Sequence, residues 1–177
     1  MELSKEKIAE AKANGVAVAF TNVFDSGYSW DNFINHINDV YDKTSANNGN
    51  YDYKQVVGLI NIWHKFTYTL EGLNSSNFPD LDKKYEYLKT MHPNQGIGYF
   101  GAVSLTSKEP TTGNHTDPID VMYCQFIGSV IWKIEYEDRV ETFVLNPRDM
   151  IYVPKGLMHE VTSLTPRAAI SFMFDAS

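Results

Sequence analysis

His115 and Asp117 stand two apart in the run His115-Thr116-Asp117, and His159 closes the later run Asp149-Met150-Ile151-Tyr152-Val153-Pro154-Lys155-Gly156-Leu157-Met158-His159. Side chains alternate along an extended strand, so an imidazole and a carboxylate at this spacing point the same way and can bind one ion. A histidine from a later strand completes a two-histidine, one-carboxylate face, which leaves part of an Fe(II) sphere open for substrate and dioxygen. The chemistry this points to is metal-dependent oxidation. The Pro154-Lys155-Gly156 turn has a part in it, because a Pro and a Gly after an apolar strand set a sharp turn that aims His159 inward. The competing structural reading makes His159 a satisfied core histidine and Asp117 a turn-starting carboxylate beside Pro118. HxD pairs alone arise often by chance, and it is the second motif in β context that favours the metal.

The elements that must position these residues are short strands. After Gly96 come apolar runs at close intervals: Ile97 to Leu105, Val121 to Phe126, Val130 to Tyr136, Val140 to Leu145, Met150 to Val153, Glu160 to Leu164 and Ala168 to Phe174. Glu137-Asp138 suits a tight hairpin and Asn146-Pro147-Arg148-Asp149 a second turn. Many short strands punctuated by turns predict a sandwich or jelly roll. The first part of the chain reads as mostly helical. Ser4 caps a short helix with Ile8 and Ala11 on its apolar side and Gly15 at its end, followed by a β-like run from Val16 to Phe24. Trp30, Phe33, Ile34, Ile37, Val40 and Tyr41 repeat at helical spacing, Thr44 to Tyr53 reads as an Asn-rich loop, and Asp80 to Met91 is a further helix. Val56, Ile60, Trp63, Phe66 and Leu70 also fit a helix, although Val56 to Trp63 alone is equally a buried strand. The expectation is one domain over 1–177, with a helical buttress and an early strand in 1–95 and the β core in 96–177.

Composition excludes several classes. The chain has 177 residues, 43% hydrophobic and 21% charged, which suits one globular domain with a real core. A net charge of -7 argues against binding to a nucleic-acid backbone. Cys124 is the lone cysteine, so no intrachain disulfide framework exists, and the first residues lack the order of a signal peptide. No apolar run reaches membrane-spanning length, and the expected setting is reducing and cytoplasmic. His36, His64 and His92 lie in the helical half at no ligand-like spacing and read as surface or partly packed.

The residues around the triad carry a family resemblance. His115-Thr-Asp117-Pro-Ile-Asp120-Val121, Gln125, Gly128 and Trp132 resemble the H-x-D-x-x-D-V-x-x-x-Q-x-x-G-x-x-x-W core of JmjC-type and ribosomal-oxygenase-type 2-oxoglutarate oxygenases, within the cupin superfamily. Leu145-Asn-Pro147-Arg-Asp149 through Tyr152, Pro154, Gly156, His159 and Val161 is similar to that family's L-x-P-G-D-x-x-Y-x-P-x-G-x-x-H-x-V segment, with Arg148 where Gly is usual. The resemblance covers about residues 97 to 174. It implies a double-stranded β-helix holding Fe(II) on His115, Asp117 and His159, with 2-oxoglutarate as cosubstrate, decarboxylated to succinate as a C–H bond is hydroxylated.

Where related enzymes place a Lys or Arg for the far carboxylate of 2-oxoglutarate, this chain has Val130. The resemblance makes Arg167 the first substitute, since other 2-oxoglutarate oxygenases carry a cation at about this distance beyond the distal histidine. Ser171 shares its face on a regular strand. Lys133 ranks second, because it has the wrong parity unless a bulge near Gly128 resets it. Thr112 and Tyr99 are further candidates for the cosubstrate. Trp132 reads as core packing, and Gln125, if buried, as hydrogen-bonded to Asp117, a ligand or backbone. Two other readings compete with the oxygenase: a metal-binding cupin whose chemistry needs no 2-oxoglutarate, and a catalytically silent cupin serving as a binding module. The substrate, protein side chain or small molecule, is not specified by the sequence.

Overall fold

The computed structural model describes residues 1–24, 27–45, 60–63, 67–70, 73, 77–91, 96–105, 109–110 and 113–174. Three helices and eleven strands are present among them: α1 Lys5–Asn14, β1 Val18–Phe20, α2 Trp30–Ser45, β2 Ile60–Trp63, β3 Thr67–Leu70, α3 Leu81–Met91, β4 Gly96–Ser104, β5 Glu109–Pro110, β6 Asp120–Ile127, β7 Val130–Glu135, β8 Val140–Leu145, β9 Met150–Val153, β10 Met158–Ser163 and β11 Arg167–Phe174. The strands form two antiparallel sheets, one ordered β1-β9-β6-β11-β4-β3-β2 and the other β5-β10-β7-β8. The chain is thus mainly β with helices added. None of the described helices is long and apolar enough to cross a membrane.

Alternation along the central strands of the large sheet builds two cores. Met122, Cys124, Phe126, Met150, Tyr152, Ala168, Ile170, Phe172 and Phe174 pack with Ile8 and Ala11 of α1, Phe33 of α2 and Leu81 and Leu88 of α3. Their neighbours Val121, Tyr123, Ile151, Val153 and Ala169 pack instead with Val130, Trp132, Ile134, Leu145 and Val161 of the small sheet. The helices therefore cover one face of the large sheet and the small sheet covers the other. Strands buried on both faces read as continuous apolar runs, which is why Met150–Val153 shows no alternation in its sequence.

Local chemistry explains the element ends. Ser4, in extended conformation, accepts from the Lys7 amide at 3.2 Å, and Gly15 at φ 63° turns its N–H back onto the Ala11 and Lys12 carbonyls. Tyr85 of α3 stacks on Phe172 and Phe174 at 5.9 and 5.8 Å, fixing that helix on β11. Along α2, Phe33 is buried and Trp30 and Ile37 pack beside it, whereas Ile34 faces solvent. His36 is buried as well, with its ring 5.7 Å from Phe78, and so is more enclosed than its sequence context implied.

The helix expected from Val56 to Leu70 is corrected over its described residues, 60–63 and 67–70, the rest of it lying outside them. Ile60–Trp63 and Thr67–Leu70 are antiparallel partners, and β3 continues onto β4 through pairs from Thr67 with Ser104 to Leu70 with Gly101. A short apolar run fits either period, and here the open edge of β4 supplies backbone partners that favour the β-branched Ile60, Ile62, Thr67 and Thr69 as strands. The residues before β4 are consequently mixed in structure, with β1 and the β2–β3 pair at opposite ends of the large sheet. Thr44 belongs to α2, and the Asn-rich stretch beyond Ser45 lies outside the described residues.

Two turns matter for the site. Asn146 to Asp149 closes with a 3.0 Å bond from the Asp149 amide to the Asn146 carbonyl, and Arg148 holds φ at 80° in the position where a type II turn favours glycine. Its guanidinium donates to the Phe24 carbonyl, which ties the turn to the chain after β1. Gly128, at φ 69°, ends β6 so close to the next turn that a Cβ there would lie 2.2 Å from the Pro166 carbonyl oxygen. Ser129 and Thr165 bond across this contact at 3.0 Å, immediately before β11 begins at Arg167.

Candidate metal centre

His115 lies outside the named strands but forms an isolated antiparallel bridge with His159 at the start of β10. Each amide donates to the other's carbonyl, at 2.9 and 2.8 Å, so the two histidines are a directly facing pair whose side chains leave the backbone together. Their rings stand 4.4 Å apart. Asp117 follows on the same segment, and its carbonyl accepts the Gly156 amide at 2.8 Å. That bond ties the carboxylate-bearing segment to the turn that delivers His159. Gly156 adopts φ 75° in this turn, a conformation that favours glycine.

The hydrogen bonds prepare both imidazoles as ligands. Nδ1 of His115 lies 2.9 Å from the Gly113 carbonyl, and Nδ1 of His159 lies 2.9 Å from the Leu157 carbonyl. A carbonyl only accepts, so each Nδ1 carries a proton, and in the neutral ring Nε2 is then the nitrogen with the lone pair. Burial lowers the His159 pKa below its ordinary value and nearby His115 adds to this, against the opposing pull of the Leu157 carbonyl and the Asp117 charge. A neutral His159 is the form that binds a metal. Its Nε2 lies 3.5 Å from Asp117 Oδ2, and one ligand atom from each of His115, Asp117 and His159 falls within 4.8 Å of the others. Two imidazole nitrogens and one carboxylate on one spot fit a divalent transition ion and leave coordination positions unused.

Asp120, a part of the motif with no role assigned from sequence, braces this arrangement. Its carboxylate, with 1% of the side chain exposed, accepts the Lys155 amide at 2.9 Å and the Tyr152 hydroxyl at 3.1 Å and pairs with Lys12 of α1 at 3.1 Å. It thereby holds the turn before His159 onto the strand that starts just after Asp117. Burial, and then the Asp120 charge, push the Tyr152 phenol well above its usual range, so it stays a donor.

The cosubstrate candidates separate clearly. β11 is regular from Arg167 to Met173 against β4, and Arg167, only 2% exposed, faces the space between the sheets together with Ala169 and Ser171. Arg167 Nε donates to Ser163 Oγ at 3.0 Å, Nη1 donates to the Tyr123 hydroxyl, and that hydroxyl donates to Gln125 Oε1 at 2.9 Å. Ser163 is paired with Val130, so the guanidinium lies alongside the position where the sequence lacks a cation. Ser171, also buried, sits across from Tyr123. Gln125 bonds Tyr123 and the Ile127 and Gly128 carbonyls rather than Asp117.

Lys133 is set apart from this group. β7 pairs without a register shift on both sides, so Lys133 keeps its outward parity, where it bonds Glu135 at 2.5 Å on the outer face. The bulge that could have turned it inward is absent from β7. Tyr99 is opposite Phe172 in the β4–β11 ladder, with its side chain outside the described residues, and Thr112 lies outside them altogether.

No protein-family model matches the chain, and no curated protein matches it. Solved structures do. The Escherichia coli ribosomal oxygenase YcfD in complex with cobalt and 2-oxoglutarate superposes with a TM-score of 0.71 at 15% identity, over 99% of this chain and 52% of that one. A second structure of the same oxygenase gives a TM-score of 0.69 at 17% identity, over 100% and 54%, and one with cobalt and succinic acid gives 0.53 at 20%, over 66% and 34%. This chain spans about half the length of the oxygenase chains it matches over its whole extent. At these identities the likeness is one of fold.

Proposed function

We propose that this protein is an Fe(II)- and 2-oxoglutarate-dependent dioxygenase, built on a double-stranded β-helix, that hydroxylates a C–H bond of a protein side chain or a small molecule. The observation that carries the proposal is the convergence of one ligand atom from each of His115, Asp117 and His159 within 4.8 Å of one another, in a chain whose fold matches a 2-oxoglutarate-bound oxygenase. Iron bound there would supply dioxygen activation coupled to decarboxylation of the 2-oxo acid. The chain's own residues do the rest. The Gly113 and Leu157 carbonyls orient the imidazoles, and Asp120 holds the turn that presents His159.

Arg167 is assigned to the far carboxylate of 2-oxoglutarate. It is a buried cation, its fork suits a carboxylate, and Ser163 and Tyr123 hold its geometry. The apolar side chains between the sheets would exclude water from the reacting centre. Anaerobic loading with Fe(II), followed by 2-oxoglutarate and air, should release succinate even without the true substrate, and His115→Ala should abolish it. Stoichiometric metal without any binding of 2-oxoglutarate would overturn the proposal in favour of a cupin with cosubstrate-independent chemistry, the reading that buried Val130 favours.

A further inference from the structure

Three inward-facing rungs of the β7–β10 ladder lead from the triad to Arg167. His159 is opposite Ile134, Val161 opposite Trp132, and Ser163 opposite Val130. The first rung carries a candidate metal ligand and the third carries the hydroxyl that receives Arg167 Nε. Successive rungs on one face are about 7 Å apart, so a molecule reaching from one end to the other passes the middle rung. Trp132 is the large side chain there. Its ring stacks on His159 at 5.1 Å with 26° between planes, and meets Tyr123, the partner of Arg167, edge-on at 5.0 Å.

Packing accounts for the ring but not for its polar atom. Trp132 is 3% exposed, and its indole Nε1–H is buried with no acceptor among the described residues. The indole nitrogen is a donor only, so no change of tautomer or rotation of a proton can satisfy it. Burying such a donor unmatched is unfavourable, and phenylalanine would fill the rung without that cost. The rung thus holds a donor in an enclosed space, between a metal-binding group and a guanidinium.

We propose that Trp132 Nε1–H donates a hydrogen bond to a carboxylate oxygen of 2-oxoglutarate held between the triad and Arg167. This rests on the reading of the site given above and adds a ligand-binding residue to it. An anionic acceptor suits the position because the bond is then charge-assisted, and Arg167 selects for an acid in the same enclosure.

The test uses the whole chain loaded with Zn(II), which is redox-silent, and 2-oxoglutarate as the probe. Calorimetry compares the wild type with Trp132→Phe, which keeps an aromatic ring and removes the N–H. The variant is expected to bind 2-oxoglutarate roughly ten- to a hundredfold more weakly, the loss typical of one hydrogen bond to a charged group, with Zn(II) affinity unchanged. In nitrogen-15 spectra of the wild type, the indole signal of Trp132 should shift and exchange more slowly with solvent when 2-oxoglutarate is added. Equal affinity in the variant, or an indole signal that stays in place while 2-oxoglutarate binds, overturns the proposal and leaves the N–H to packing or water. Should Trp132→Phe fail to fold, the wild-type indole signal decides alone. A wild type that takes up Zn(II) but no 2-oxoglutarate refutes the underlying reading, an outcome distinct from the other two.

Discussion

Asp120→Ala is expected to lower both stability and metal affinity. The carboxylate is almost fully buried and accepts from the Lys155 amide at 2.9 Å, the Tyr152 hydroxyl at 3.1 Å and Lys12 Nζ at 3.1 Å. Each of the first two is a bond to a charged acceptor, of about 1.5–3 kcal/mol, and both are lost on removal. Lys12 is 32% exposed and can rehydrate, so its share is below about 1 kcal/mol. Together these give about 4 kcal/mol, in line with removing one partner from a buried charged group. In a domain of this size that corresponds to a Tm lower by roughly 8–16 °C. Urea and thermal unfolding of the metal-free protein read this term. Co(II) titration reads the other, where loosening the turn before His159 should weaken binding about 10- to 100-fold. Asp120→Asn, which keeps an acceptor for Lys155, should fall between. A stability loss under about 1 kcal/mol would refute the assigned network. A large loss with unchanged Co(II) affinity would show that Asp120 supports the fold without positioning the ligand.

Arg167→Met should abolish 2-oxoglutarate binding by calorimetry while stoichiometric metal is retained, and Arg167→Lys should restore it poorly, because a point charge cannot keep both the Ser163 and Tyr123 contacts. Gly128→Ala should cost several kcal/mol, about 3 or more, in urea unfolding, since its Cβ would meet the Pro166 carbonyl oxygen at 2.2 Å. Arg148→Gly should be close to neutral, because relief of the positive φ, about 1 kcal/mol, offsets the lost bond to Phe24; Arg148→Ala keeps the strain and loses the bond, and should be about 1 kcal/mol less stable. Burial pushes the Cys124 thiol well above its usual pKa, so iodoacetamide at pH 8 should label it only after unfolding, as mass spectrometry would show.

What could be read from the sequence follows the physics of each signal. Caps and turns are local, so Ser4, Gly15 and the Glu137-Asp138 hairpin stand where their chemistry implies, the last closed by a 2.8 Å bond from the Tyr136 amide to the Arg139 carbonyl. The apolar runs after Gly96 reappear as strands with ends displaced by at most two residues. The convergence of His115, Asp117 and His159 was legible because a period of two and a known motif spacing limit where the side chains go. The β2–β3 pair was not legible, because the partner that makes those residues strands is β4, beyond α3 in the chain. The two-residue β5 has no periodicity to detect. Nor could sequence show that the Trp132 ring lies against His159, which depends on the β7–β10 register. Parity did place Lys133 outward, once β7 was known to pair without a shift.

The reciprocal amide bonds between His115 and His159 bear on how a metal at this centre would couple to folding. In small zinc domains the free energy of metal binding is the free energy of folding, so a chelator unfolds them. Here the backbones of the two histidines are joined by main-chain bonds at 2.9 and 2.8 Å, a link that an ion between the imidazoles would not have to supply. Removal of the proposed metal is therefore expected to leave the backbone in place, and far-UV circular dichroism should stay level through a full cycle of chelation and reloading.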